Sequence, residues 1–149
     1  MKPDVYANTE VYTLYHESRA TQGDETRTTH QWNSGGNVDV SGFHGRALVY
    51  VAAKLDAAAT SSDSITVTVT KSSDGDGTGA ATLQAGTAMA GTGVAQNTSD
   101  TIPVQLESLD SDEGYIGVSV EYDDNNASGS YEVTAVLVLQ GYFDNPIHT

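Results

Sequence analysis

Hydrophobic and polar residues alternate along much of this chain. The alternation is clearest in residues 64–71, SITVTVTK, where Ile65, Val67 and Val69 fall on one side of an extended backbone and Thr66, Thr68 and Thr70 on the other. A period of two predicts a strand with one buried and one wet face. Residues 115–122 repeat the pattern, with Ile116, Val118, Val120 and Tyr122 set against Gly117, Ser119 and Glu121. Residues 100–107 alternate Ile102, Val104 and Leu106, but Pro103 has no amide hydrogen and assigns the segment to a sheet edge or a bulge. Two segments are richer. In residues 130–142, SYEVTAVLVLQGY, the set Tyr131, Val133, Ala135, Leu137 and Leu139 is a core face, and the opposite set starts polar at Glu132 and turns apolar at Val136 and Val138. Such a strand starts near an edge and ends with both faces covered. In residues 46–56, Leu48, Tyr50 and Ala52 oppose Val49, Val51, Ala53 and Leu55, again predicting two covered faces. At ~3.3 Å per residue the C-terminal strand spans roughly 35 to 40 Å. It is the element around which the rest is expected to pack.

The remaining segments are weaker. Residues 25–32, ETRTTHQW, are β-prone through their threonines, and Asn33, Ser34, Gly35 and Gly36 break them. A short strand is expected near Val38 and Val40, and weak strands in residues 80–85 and 87–94. Residues 72–79, 108–114 and 123–129 read as turns. About eight to ten strands, with no convincing helix and no internal repeat, predict an all-β fold of two packed antiparallel sheets. A jelly-roll-like sandwich fits that count best, with an immunoglobulin-like sandwich as runner-up, weakened because the Cys, Trp, Cys pattern is missing. Residues 1–25 carry Tyr6, Val11, Tyr12, Leu14 and Tyr15 among polar neighbours. Thr9, Val11, Thr13 and Tyr15 alternate with Glu10, Tyr12, Leu14 and His16, which permits a strand. The segment reads as an N-terminal arm or extended segment, either frayed or laid on a neighbouring molecule, ahead of a β-sandwich domain at residues 26–149.

Composition narrows the chemistry. A chain of 149 residues is expected to form one domain that buries ~68 to 70% of its unfolded surface. Without cysteine, thiolate and disulfide chemistry are excluded. Six Lys and Arg against twenty Asp and Glu give a net charge of -14. That field repels nucleic acid and anionic lipid, so neither is expected as a partner. The polar residues after Met1, Lys2 and Pro3 contain no apolar signal core, and no run approaches the ~18 apolar residues of a membrane span. The chain is therefore expected to stay in the compartment where it is made.

Candidate catalytic groups are few. His16, His30, His44 and His148 have no metal-ligand spacing, and no nucleophile elbow, phosphate loop or zincin motif occurs. The carboxylates sit in turns, where solvent keeps them ionised, whereas a general acid needs burial. No catalytic residue is assigned. Calcium is the more serious use of acidic turns, and Asp74 with Asp76 and Asp123 with Asp124 are the candidate cation loops. The 74–85 stretch matches the first half of an EF-hand loop, then fails at Ala85, where a bidentate Glu belongs. A solvated hairpin turn, in which Asp and Gly satisfy the backbone, is the preferred reading of it. No cofactor is expected beyond that ion.

The order GRALVYVAAKLD, SITVTVTKSSDG, a Gly/Ala/Thr stretch and GYIGVSVEYDDNNASGSYEVTAVLVLQGY resembles the small β-sandwich decoration (cement, or auxiliary) proteins on tailed-bacteriophage heads. The resemblance covers approximately residues 45–142. It implies a jelly-roll-like virion protein that binds across junctions of the major capsid protein and stabilises the capsid exterior, as a homo-oligomer and often a trimer, after assembly in the host cytoplasm. In that setting Tyr6, Val11, Tyr12, Leu14 and Tyr15 are the expected contact arm, helped by Trp32 and Phe43 where these are exposed. The competing readings are a tail or baseplate structural protein and a carbohydrate-binding or adhesin-like module, with tyrosines or Trp32 stacked on sugars beside a calcium loop.

Overall fold

The computed structural model describes residues 8–20, 23–34, 36–109, 113–125 and 129–143. Among them, ten strands form in chain order: β1 (Asn8–Ala20), β2 (Glu25–Thr28), β3 (Val38–Asp39), β4 (Phe43–Leu55), β5 (Ser64–Ser72), β6 (Ala81–Ala85), β7 (Met89–Ala90), β8 (Gln96–Val104), β9 (Tyr115–Asp123) and β10 (Ser130–Phe143). Sheet A has the order β1-β10-β4-β8 and sheet B the order β2-β9-β5-β6, all pairs antiparallel. β3 continues the line of β2 along β9, and β7 continues that of β6 along β5. The molecule is therefore an eight-line jelly roll, in which successive lines alternate between the sheets except at the β5–β6 hairpin within sheet B. An immunoglobulin-like sandwich groups its strands differently. The expected all-β, jelly-roll-like fold is found. Among the described residues no helix is long and apolar enough to cross a membrane.

The alternation places the core between the sheets. Tyr131, Val133, Ala135, Leu137 and Leu139 of β10 are buried, as are Ile65, Val67 and Val69 of β5 and Ile116, Val118, Val120 and Tyr122 of β9. Each buried branched side chain is worth ~1.5 to 3 kcal/mol relative to exposure, so these facing rows supply most of the cohesion. β8 is an edge strand with Pro103 turned outward, in keeping with its missing donor.

Four expectations are corrected. Among the described residues only one face of β4 and β10 is covered, because none of them forms a third layer on sheet A: Tyr50 is 44% exposed, and Leu48, Val136 and Val138 are half-buried. Residues 25–32 do not stay extended, since β2 gives way to a single helical turn, α1 (Thr29–Trp32). A capping box starts that turn, with the Gln31 N–H donating to Thr28 Oγ1 at 3.3 Å and the Thr28 N–H to Gln31 Oε1 at 2.8 Å. The buried Thr29 hydroxyl then accepts the Val118 N–H at 2.8 Å, replacing the strand partner that the interruption removes. Phe43, expected as a contact residue if exposed, is buried.

The fourth correction concerns the arm. Residues 8–20 are a full strand of sheet A, paired to β10 from Asn8↔Gly141 to Ala20↔Ser130. A register shift between Thr13 and Tyr15 is a bulge, and it turns Leu14 and Tyr15 into the core, both at 0% exposure. Neither can serve as an arm contact while the strand is paired. Tyr6 lies outside the described residues.

Candidate functional site

The two outer faces of the sandwich differ in chemistry. On sheet A the register brings Val11, Val138, Leu48 and Pro103 into one row across all four strands. The next row is Thr13, Val136, Tyr50 and Thr101. Val11 is 61% exposed. The charged residues at outward positions of these strands are Glu132, Lys54 and Arg46, and Glu132 stands opposite Lys54. In a chain of net charge -14 this face is charge-poor, with an apolar centre and a polar margin. Charge depletion around an aromatic and apolar centre characterises protein interfaces.

Sheet B presents hydroxyls instead. Thr28, Ser119 and Thr68 lie in one outward row, and Thr70 pairs with Thr82 in the next. Gly117, opposite Thr70, leaves a gap over the sheet that the Asn37 side chain occupies; a Cβ on Gly117 would come within 2.5 Å of Asn37 Oδ1. Thr28, Thr68, Thr70, Thr82, Ser119 and Asn37, with the exposed His30 and Asp76, line a cleft of about 290 Å³. The Asp76 carboxyl accepts the Thr78 N–H at 2.8 Å. That bond first, and the nearby His30 in a lesser degree, hold its pKa below the usual carboxylate range.

A third cluster ties the sheets together along one side. Glu17 of β1 accepts hydrogen bonds from the Tyr15 hydroxyl, from Arg19 Nη1 at 3.0 Å and from Arg27 Nη2 of β2 at 3.3 Å, while Arg19 also pairs with Glu25. Burial alone would raise the Glu17 pKa, yet these donors outweigh it and the net displacement is downward. Burial, reinforced by the bond to Glu17, pushes the Tyr15 hydroxyl far above the usual tyrosine range, and the same cause pushes Tyr122 up to about 12. Tyr15 and Tyr122 hydroxyls lie 3.1 Å apart. This network is structural reinforcement.

The residues singled out from sequence are thus dispersed. Of the five arm residues, Val11 alone stands fully exposed on the described surface; Tyr12 is half-buried and its hydroxyl donates to Glu10. Trp32 packs 6.3 Å from Tyr15 between ring centroids. The exposed tyrosines Tyr50 and Tyr142 both lie on sheet A, opposite Val136 and His44. They are roughly 20 Å apart along the strands and share no platform. Asp74 and Asp76 follow one end of β5, and Asp123 lies opposite Ser64 at the other, so the two acidic loops occupy opposite ends of sheet B. Asp124 is buried at 3% and its N–H donates to Asp24. Among the described residues no group of three or more His, Asp or Glu side chains converges as a metal site. His16 Nδ1 lies 2.7 Å from Thr134 Oγ1, and His44 stacks on Tyr142. His148 lies outside the described residues.

Sequence reasoning assigned the wet Thr face of β5 but missed the bare apolar face of sheet A and the cleft. Leu48, Val136 and Val138 were visible but read as covered, and the cleft joins segments remote in sequence. The one advance signal for the cleft was the outward Thr and Ser set interrupted by Gly117. The class defined by this architecture is the two-sheet jelly roll. No protein-family model matches the chain, and no curated protein matches it in sequence.

Proposed function

We propose that this chain is a virion structural protein that decorates and stabilises a tailed-phage capsid by binding across junctions of the major capsid protein. The observation that carries the reading is the outer face of sheet A, with its apolar row Val11, Val138, Leu48 and Pro103 and its near absence of acid. Four strands about 4.8 Å apart and up to fourteen residues long offer roughly 800 Å². That is the share of one partner in a standard interface. The remaining acidity lies off this face, in the loops, on sheet B and at positions of β1 and β8 that alternate with the outward row, and it keeps bound copies soluble and discourages contact through any other face.

Attachment is by repetition. A homo-oligomer holding several capsid subunits turns later contacts into intramolecular ones and gains ~10² to 10⁴ in avidity. If the mature lattice alone presents the matching surface, binding stabilises that lattice by mass action. No catalytic step is required. The same face would serve a tail or baseplate position equally, and the location of the protein in the particle distinguishes them.

Co-sedimentation of the purified chain with capsids of the same virus, followed by electron microscopy, tests the proposal. Wild type is expected to add regular density over subunit junctions. The pair Leu48→Glu and Val138→Glu, which buries charge in the contact, is expected to weaken binding at least ~100-fold. Thr66→Glu on sheet B is expected to leave it unchanged. Wild-type protein that leaves capsids undecorated, or face variants that bind normally, would refute the reading.

A further inference from the structure

We propose that the cleft on the outer face of sheet B is a binding site for a neutral saccharide. It does not depend on capsid attachment, and it lies on the face opposite the apolar row.

The lining chemistry selects the ligand class. Thr68, Thr70, Thr82 and Ser119 each present a hydroxyl that both donates and accepts, the Asn37 amide does the same with separate atoms, and the Thr28 hydroxyl, which accepts the Gln31 N–H, still has its proton to donate. A sugar ring carries adjacent hydroxyls with that same dual character. The exposed Asp76 accepts, and its lowered pKa keeps it ionised across the neutral range. Threonine methyls, Ala80 and Ala81 supply apolar surface for the C–H side of a ring. Anionic ligands fit poorly: no Lys or Arg is among the lining residues, Asp76 is, and the chain carries -14. The volume of about 290 Å³ lies at the lower bound of small-molecule sites, suited to one or two rings rather than a long chain.

The site is preformed. Asn37 is wedged between two glycines, since a Cβ on Gly117 would meet its Oδ1 at 2.5 Å and one on Gly77 its Nδ2 at 3.1 Å. Gly77 has φ +77°, a turn conformation that side chains resist. His30 rides on α1, which Thr29 and the capping box pin to the sheet. A ligand therefore meets groups already in place, and little ordering cost is left to binding. Recognition rests on hydrogen bonds, because the exposed tyrosines are on the other face. A dissociation constant of about 1 mM is expected for one site.

Amide chemical shifts of the full chain, titrated with neutral oligosaccharides of glucose, galactose, mannose and N-acetylglucosamine and with sialyllactose as the charged control, test this. At least one neutral series should shift Thr68, Thr70 and Ser119, with sialyllactose at least ~10-fold weaker. Asn37→Ala, and Gly117→Ala as an independent way to displace Asn37, should each weaken binding at least ~10-fold at an unchanged melting temperature. Leu48→Glu on sheet A should have no effect, which separates this site from the capsid contact. Absence of shifts with every neutral sugar at about 50 mM, equal binding of sialyllactose, or full binding by Asn37→Ala would overturn the proposal.

Discussion

At Glu17 a single carboxylate receives donors from both sheets, and its side chain retains only 21% exposure. Against the upward pull of burial, the hydrogen bonds from Tyr15, Arg27 and Arg19 hold its folded pKa below the usual glutamate range. A carboxylate depressed on folding stabilises the native state above its unfolded pKa, and that contribution disappears as pH falls through the folded value. Glu17→Gln is therefore expected to lose about 1 to 3 kcal/mol near neutral pH. The difference from wild type should shrink below pH 4.5. Urea unfolding across pH checks both, and a pH-independent difference would assign the loss to packing. Nothing in the spacing of Glu17, Arg19, Glu25 and Arg27 announces this network. Their partners are chosen by the way β1 and β2 pass from one sheet to the other.

Among the elements, the ladder of β4 with β10 leaves no room for a side chain where Gly45 faces Gly141. A Cβ on Gly141 would stand 2.0 Å from the His44 carbonyl oxygen, and one on Gly45 2.2 Å from that of Gln140. Gly141→Ala must therefore push the strands apart and is expected to cost about 2 to 3 kcal/mol in denaturant unfolding. A substitution that leaves stability unchanged would show that the strands relax freely there. β5, β9 and the inward set of β10 were legible from alternation, because in each the buried face is continuous and unbroken. β1 was not. Plain alternation assigns Leu14 and Tyr15 to opposite faces, and the bulge that buries both exists only because β10 lies alongside.

For the whole molecule, the first strand pairs with the last and β4 pairs with β8 and β10, so nearly every ladder closes a long stretch of chain. Non-local pairing pays loop entropy before contacts accumulate, and refolding is expected on the millisecond-to-second scale. Stopped-flow fluorescence of Trp32 measures it; a microsecond phase carrying the full amplitude would contradict this topology. The pattern of residues by itself determined the fold class, the main strands and the inward sets, since burial of alternate positions is a local consequence of a pleated backbone. The net charge of -14 and the lack of cysteine are likewise properties of the chain before it folds. Only the tertiary structure decided strand order, the burial of Leu14, Tyr15 and Phe43, and which apolar residues remain outside. An apolar residue reads the same whether a second layer covers it or not, and it is the two-layer packing that leaves Leu48, Val136 and Val138 facing solvent. The cleft over Gly117 likewise required α1, β5, β6 and the turn after Ser72 to meet, a juxtaposition that no stretch of chain encodes alone.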